Sequence, residues 1–417
     1  MTLRILHTSD WHLGHTLHDV SREDEHDAFL SWLLDTLHRE KSDALLIAGD
    51  VFDTANPPAT AQRRWYKFLS QARNRLPSLD IVAIAGNHDS CGRLEAPQAL
   101  LEEFDIQVVG KLARSSVGEL DFDKCLFPLC DASGEIAAWC AAVPFLRPSD
   151  LPRATDTVES NSEGVRAVYR AILEAASQRC TAQQAIIAMG HCYMVSTTVS
   201  ELSERKIMGG NEFALPADIF DDTASYVALG HLHLGQSVAG QSRIRYSGSP
   251  IPLAMDEMRY KHHVCLVVFE GKKLVEVTEV PVPRAIGMLR IPSDGPQPWN
   301  EVERSLARLP RESNTENNNE PKPYLEVRVR LDAPDSMLRR RVAEAIKGKH
   351  ARLVKITLEY TGSGKSLSQQ LPDKHLHDLT AEDVLLQLYQ SRHDGHPSED
   401  MMMCFRELVA EVGLEDA

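Results

Sequence analysis

The first two-thirds of the chain alternates short apolar runs with longer amphipathic stretches. Five of the runs, LRILHT, DALLIAG, DIVAIAG, QAIIAMG and SYVALG, are compact, rich in β-branched and small residues, and bounded by turn residues. That pattern predicts buried strands. Between the first two runs, DEHDAFLSWLLDTLHRE sets Phe29, Leu33, Leu34 and Leu37 at helical spacing, and a second helix is predicted through TAQRRWYKFLSQARNRL. Strands alternating with helices predict a layered α/β domain. From Ile244 the pattern turns antiparallel, with HHVCLVVFEGKKLVEVTEV reading as a hairpin about Glu270-Gly271.

After the proline-flanked VPVPR a second domain is expected, reading strand (AIGMLRI), helix (WNEVERSLARL), strand (YLEVRVRL), helix (SMLRRRVAEAIKG) and strand (ARLVKITLEY). TGSGKSLSQQLPDKH then reads as a flexible linker. Two short helices close the chain, with apolar stripes Ala381, Val384, Leu385, Leu388 and Phe405, Leu408, Val409, Val412, and with Thr380 and Ser398 as N-caps. Short helices behind a linker bury such stripes well only by docking. The expected divisions are 1–282, 283–361 and 362–417.

Composition is that of a soluble globular protein, 43% hydrophobic and 25% charged. No signal-peptide pattern and no membrane-length apolar run stand in the sequence, so a cytoplasmic protein is expected. The eight cysteines include no Cys-x-x-Cys pair and read as buried free thiols. A net charge of −15 argues against binding nucleic acid through the whole surface. A local exception is RRRVAEAIKGKHARLVK, where Arg339, Arg340, Arg341, Lys347, Lys349 and Arg352 are candidates for phosphate contact, although such a face is often merely solvated. Arg63, Arg64, Lys67, Arg73 and Arg75 form a weaker patch.

Each of the five runs leads directly into metal-ligand residue types: Asp10-Trp11-His12, Gly49-Asp50-Val51-Phe52-Asp53, Gly86-Asn87-His88-Asp89, Gly190-His191 and Gly230-His231-Leu232-His233. Loops at the carboxyl ends of α/β strands form the usual ligand crevice, and glycine permits tight turns and close backbone approach there. A lone Asp-x-His is ordinarily just a loop. Five clusters, each after a buried strand, are a site. Oxygen and imidazole donors together suit manganese, iron or zinc. Gly362-Ser363-Gly364-Lys365-Ser366 ends like a phosphate-binding loop, but the motif's first glycine falls on Glu359. Of the His12/His15/His18 triplet, only His12 belongs to the strand-end set.

This series resembles the signature of the calcineurin-like metallophosphoesterases over roughly residues 4–234. HTSDWHLG, AGDVFDT, AGNHDS, PFLRP and RYSGSPIPL make the chain similar to those members that act as nuclease subunits beside an SbcC-type coiled-coil ATPase. The resemblance implies a four-layer α/β/β/α sandwich, a small α+β capping domain and a C-terminal helical partner-binding segment. It also implies two divalent ions, manganese foremost. Asp10, His12 and His233 would hold one, Asn87, His191 and His231 the other, and Asp50 would bridge them. His88 would contact the scissile phosphate, with Asp89 able to orient its ring, while Asp53 stands where some relatives carry a histidine.

The implied activity is double-strand exonuclease and single-strand or hairpin endonuclease, in DNA repair, recombination and replication. The implied assembly is a homodimer within a heterotetramer, gripping the ATPase through Val384, Leu385, Leu388, Phe405, Leu408 and Val409. The competing enzyme reading is a phosphomonoesterase or small-molecule phosphodiesterase on the same scaffold. A scaffold that has lost catalysis would lack a ligand, and none of the seven is missing.

Overall fold

The computed structural model describes residues 2–115, 119–151, 158–195, 197–198, 214–312 and 320–361, together with 385–386, 389, 397–399 and 401–405. In chain order the first half contains β1 (Thr2–Thr8), α1 (Glu23–Arg39), β2 (Ala44–Ala48), α2 (Ala59–Arg75), β3 (Asp80–Ile84), β4 (Ile106–Val109), β5 (Leu126–Cys130), β6 (Ile136–Ala142), α3 (Val158–Arg179) and β7 (Ala185–His191). There follow β8 (Tyr226–Gly230), β9 (Gln236–Val238), β10 (Gln241–Tyr246), β11 (His263–Glu270) and β12 (Lys273–Pro281). The remainder is β13 (Met288–Ile291), β14 (Gln297–Pro298), α4 (Trp299–Ala307), β15 (Tyr324–Leu331), α5 (Leu338–Ala345) and β16 (Arg352–Tyr360).

Two six-stranded sheets stack face to face, in the orders β12-β11-β1-β2-β3-β4 and β9-β10-β8-β7-β6-β5. The apolar runs are β1, β2, β3, β7 and β8, and their lack of alternation has a direct cause. In β2, Ala44, Leu46 and Ala48 face the second sheet, whereas Leu45 and Ile47 face α1 and α2. Both sides of the strand are core, so every position must be apolar. Helix α3 covers the far side of the second sheet with Val168, Tyr169, Ile172 and Leu173, completing four layers. The hairpin of β11 and β12 forms about Gly271, as the sequence predicts. Helix α3 and the β5–β6 hairpin, which the sequence pattern did not announce, extend the second sheet and its cover.

The second domain follows the predicted order of elements. Its central β15 pairs in parallel with β13, β14 and β16, because α4 and α5 make the crossovers between strands. It has its own core of Trp299, Val302, Leu306, Leu325, Val327 and Val342, and it meets the first domain through Leu17, Val20, Met255, Met288 and Tyr324. At the C-terminal end, the Ser398 hydroxyl accepts the Met401 N–H at 3.3 Å, as an N-cap does. Leu385 and Phe405 are helical and half-buried; Val384, Leu388, Leu408 and Val409, the linker and its Lys365-Ser366 motif lie outside the described residues. The cysteines are all free, but only Cys125, Cys140 and Cys265 are buried, and Cys404 is exposed. Among the described residues no helix is long and apolar enough to cross a membrane.

One core residue ties the outer layer to the loops above the sheets. Trp11 is fully buried and meets Phe29, Trp65 and Phe68 edge-on, with ring centroids 5.5, 5.6 and 5.2 Å away. Its Nε1 donates to Thr8 at 3.0 Å, and its carbonyl lies 3.0 Å from His26 Nε2. Trp11→Ala is expected to lower stability by about 3–5 kcal/mol, the cost of emptying a large aromatic site, read from the midpoint of urea unfolding.

Candidate metal centre

The carboxyl ends of β1, β2, β3, β7 and β8 point to one place, and the residues following them meet there. Asp10, His12 and His233 bring ligand atoms within 4.8 Å of one another; so do Asp10, Asp50 and His191, and likewise His12, Asp53 and His88. Asn87 joins the second group: its Oδ1 lies 3.0 Å from His191 Nε2 and 3.1 Å from His231 Nδ1. The sets inferred from the resemblance are therefore brought together in space, with Asp50 Oδ2 between His12 Nε2 (3.6 Å) and His191 Nε2 (3.4 Å).

The backbone reaches this arrangement under constraint. Asp10, His12, Asp50 and His231 have φ of 54°, 46°, 48° and 107°, a region that costs a non-glycine residue energy and is held only by surrounding bonds. Those bonds link the loops: Asp10 N–H donates to Gly49 O and His12 N–H to Asp50 O, each at 3.0 Å. The His88 N–H donates to Asp50 Oδ1 at 2.8 Å, and the His231 N–H to Asp10 Oδ1 at 3.0 Å. At Gly86 a Cβ would fall 2.1 Å from Asp50 Oδ1, and at Gly230 it would fall 1.9 Å from the Ala48 carbonyl. A side chain at Gly86 would displace Asp50, and one at Gly230 would push the two sheets apart.

Three of the four candidate imidazole ligands are held through one nitrogen by a carbonyl or a carboxylate. His191 Nδ1 donates to the Ala48 carbonyl at 2.9 Å, leaving Nε2 inward. His12 Nδ1 lies 3.2 Å from Asp53 Oδ1, and His233 Nδ1 lies 2.8 Å from Glu257 Oε1. Such carboxylate–histidine pairs set the tautomer that leaves the other nitrogen able to ligate. Asp53 acts twice, since its carbonyl accepts from His88 Nδ1 at 2.7 Å. Ser247, from RYSGSPIPL, reaches Asp10 through Ser9, at 2.8 and 2.5 Å, and Phe145 of PFLRP stands edge-on to His191. Glu257 and Ser247 carry no local signal in the sequence; only their place inside or just after RYSGSPIPL points to them.

The expected orienting of His88 by Asp89 is corrected by this geometry. Asp89 is buried with its carboxylate turned to the backbone, accepting from Val51, Phe52 and Gly86 N–H at 3.1, 2.9 and 2.9 Å. It ties the second loop to the third, while the Asp53 carbonyl holds the His88 ring. Burial, then the Asp50 charge, pushes the Asp89 carboxyl up to about 6.

The basic patches are also thinner than their sequence. Lys349 is turned inward, its ammonium donating to the Ala307 and Leu309 carbonyls, and Arg341 pairs with Asp335 over the Trp299 ring. Arg339, Arg340, Lys347 and Arg352 are exposed. In the weaker patch, Arg64 pairs with Glu23 and Asp27, Arg73 with Asp105 and Arg75 with Asp35.

Residues 3–235, more than half of the chain, match the model of the calcineurin-like phosphoesterases. The SbcD component of the SbcCD nuclease of Rhodobacter capsulatus is 41% identical over 360 residues, 85% of this chain and 87% of that protein. The chain belongs to the SbcD family of calcineurin-like phosphoesterases. The SbcD protein of Escherichia coli K12 is 35% identical over 297 residues, covering 69% of this chain and 71% of its own, and that of Bacillus subtilis is 28% identical along the whole of both. Residues 285–393 match the type 5 capsule protein repressor C-terminal domain. The five clusters and the PFLRP segment lie within the phosphoesterase match, while RYSGSPIPL follows it.

The donor set fits the divalent ions that the family implies. Two carboxylates, an amide oxygen and four imidazoles converge, and His12 Nε2 is buried without a hydrogen-bond partner, aimed at Asp50. Without an ion, burial opposes charge on His191, but Asp50 and then Asp10 outweigh it and lift its pKa to about 10. A ligating imidazole must be neutral, so an ion and this proton compete. Manganese binding is expected to release about one proton near pH 8, and affinity to rise roughly tenfold per pH unit between about pH 7 and 9. Calorimetry in two buffers of different protonation enthalpy measures the release; its absence would show that His191 is neutral before the ion binds.

Proposed function

We propose that this chain is the metal-dependent nuclease subunit of a complex with an SbcC-type coiled-coil ATPase. In this reading it hydrolyses DNA phosphodiesters as a double-strand exonuclease and as a single-strand and hairpin endonuclease, in repair, recombination and replication. The observation that carries it is the convergence of seven metal-ligand side chains at five strand ends in a chain 41% identical to a nuclease subunit. The same relatives favour a nuclease over a phosphomonoesterase on the same scaffold.

In this reading Asp10, His12 and His233 hold one ion, Asn87, His191 and His231 the other, and Asp50 lies between. Two divalent ions held there, manganese foremost, would supply the charge that stabilises the attacking and leaving oxygens of an in-line displacement. His88 has Nδ1 committed to the Asp53 carbonyl, so Nε2 is the atom that meets the scissile phosphate and delivers a proton to the leaving oxygen. Burial lowers its pKa, and the charge of a bound phosphate works in the opposite direction. Asp89 is then a positioning residue that holds the loops of Asp50 and His88 in register.

DNA phosphates meet the exposed Arg339, Arg340, Lys347 and Arg352 of the domain spanning 283–361, and the acidic remainder of the surface leaves further contacts to the partner. The segment 362–417 is the partner-binding part, with Leu385 and Phe405 on its apolar stripes. Two copies of each subunit, in the cytoplasm, complete the proposal.

Two tests separate binding from chemistry. Asp50→Asn is expected to abolish both ion occupancy and hydrolysis, whereas His88→Ala should keep both ions and lose about 10²–10⁴-fold in rate on end-labelled hairpin DNA. Equal loss of metal in both variants would make His88 a ligand. Deleting 378–417, or combining Leu385→Asp with Phe405→Asp, should leave basal manganese-dependent cleavage and abolish pull-down with the ATPase. A large fall in the melting temperature of the isolated protein would instead assign these helices to its own core.

A further inference from the structure

The short turn Met255–Arg259 carries a fully buried carboxylate, Glu257. Its Oε1 lies 2.8 Å from His233 Nδ1, and its Oε2 accepts the Leu253 N–H at 2.6 Å. The same turn is the seat of the second domain. Arg290 donates to the Met255 carbonyl at 2.9 Å and Arg284 to the Met258 carbonyl at 2.8 Å, while Met255 and Met258 pack with Met288 and Tyr324. A second polar route runs alongside. The Tyr324 hydroxyl donates to Glu25 at 2.9 Å, Glu25 holds Arg22, and Arg22 donates to the carbonyl of Pro252, next to Leu253, at 2.8 Å. Arg22, Glu25 and Glu257 are all removed from water, where such bonds are strong and their loss costly.

We propose that Glu257 is the positioning residue of His233, and that seating of the second domain on the Met255–Arg259 turn sets how firmly it holds that ring. The proposal rests on reading His233 as a metal ligand. With Oε2 accepting the Leu253 N–H, Oε1 is the atom left to accept the Nδ1 hydrogen of His233, and Nε2 keeps the lone pair that a ligand needs. A glutamine at 257 offers one oxygen to two N–H donors. If its amide nitrogen faces His233, the hydrogen is driven to Nε2 and the ring can no longer ligate. None of the candidate ligands lies in the second domain, yet three of its side chains, Arg284, Arg290 and Tyr324, bond to the frame that holds Glu257. Anything that moves this domain on the first, duplex DNA included, therefore acts on the ion, and the ion acts on the domain in return.

The test uses the full chain and manganese alone, with both ions titrated by calorimetry in wild type, Glu257→Gln, Tyr324→Phe and His233→Ala. Glu257→Gln is expected to weaken one ion by about 10–100-fold and to spare the other. Tyr324→Phe, remote from every ligand, should weaken the same ion by about 2- to 30-fold. Wild-type affinity in Glu257→Gln would overturn the positioning role, as would equal weakening of both ions with a lowered apo melting temperature. A silent Tyr324→Phe would overturn the link to the second domain. If His233→Ala changes neither ion, the ligand assignment is what fails, and that outcome is separable from the others.

Discussion

The tight contact of the two sheets at Gly230 governs the site above them. At Gly230 the second sheet comes so near the Ala48 carbonyl of the first that a single methyl group would not fit. This contact lets loops from β1, β2 and β3 share one space with loops from β7 and β8. Hydrogen bonds between backbone and ligand side chains then lock the loops in left-handed conformations that they would not hold alone. A site of this kind is a property of the interface between layers, and no one loop contains it.

The candidate ligand side chains were legible because each sits within a few residues of a strand that the sequence announces by itself. The rule that strand ends converge picked out the five clusters, and the resemblance singled out Asp10, Asp50, Asn87, His191 and His231 within them. Their supporting partners were not legible. Glu257 reaches His233 from a turn 24 residues away, and Asp53 serves His12 across 41 residues. Such pairings are set by tertiary distance, which neither periodicity nor composition encodes. Asp89 misled for the converse reason, since its neighbour in sequence is not its partner in space. Lys349 misled likewise: a lysine in a basic run reads as surface charge, but this one closes its own domain by binding two carbonyls. Helix α3 escaped notice because its first turns carry few apolar residues, and its buried face declares itself only once the second sheet is in place.

The electrostatics form one pattern. Every buried carboxylate of the centre is matched by N–H groups, by imidazole or by both, and the His191 proton occupies part of the charge that an ion would otherwise supply. Asp10, Asp50 and His191 are thus tied to backbone groups independently of any ion. The exposed Arg339, Arg340, Lys347 and Arg352 lie on the second domain, apart from the candidate ion ligands of the first.

The bond from the His231 N–H to Asp10 spans 221 residues of sequence. During synthesis from the amino terminus, Asp10 and His12 emerge first and wait while most of the phosphoesterase domain is made. No second-ion set can exist until β7 and β8 have formed and paired, and the first set needs His233 in addition. A ribosome-bound fragment ending before that point carries strands, helices and carboxylates but no complete centre. On the proposed ligand sets, activity waits for contacts that span most of the phosphoesterase domain.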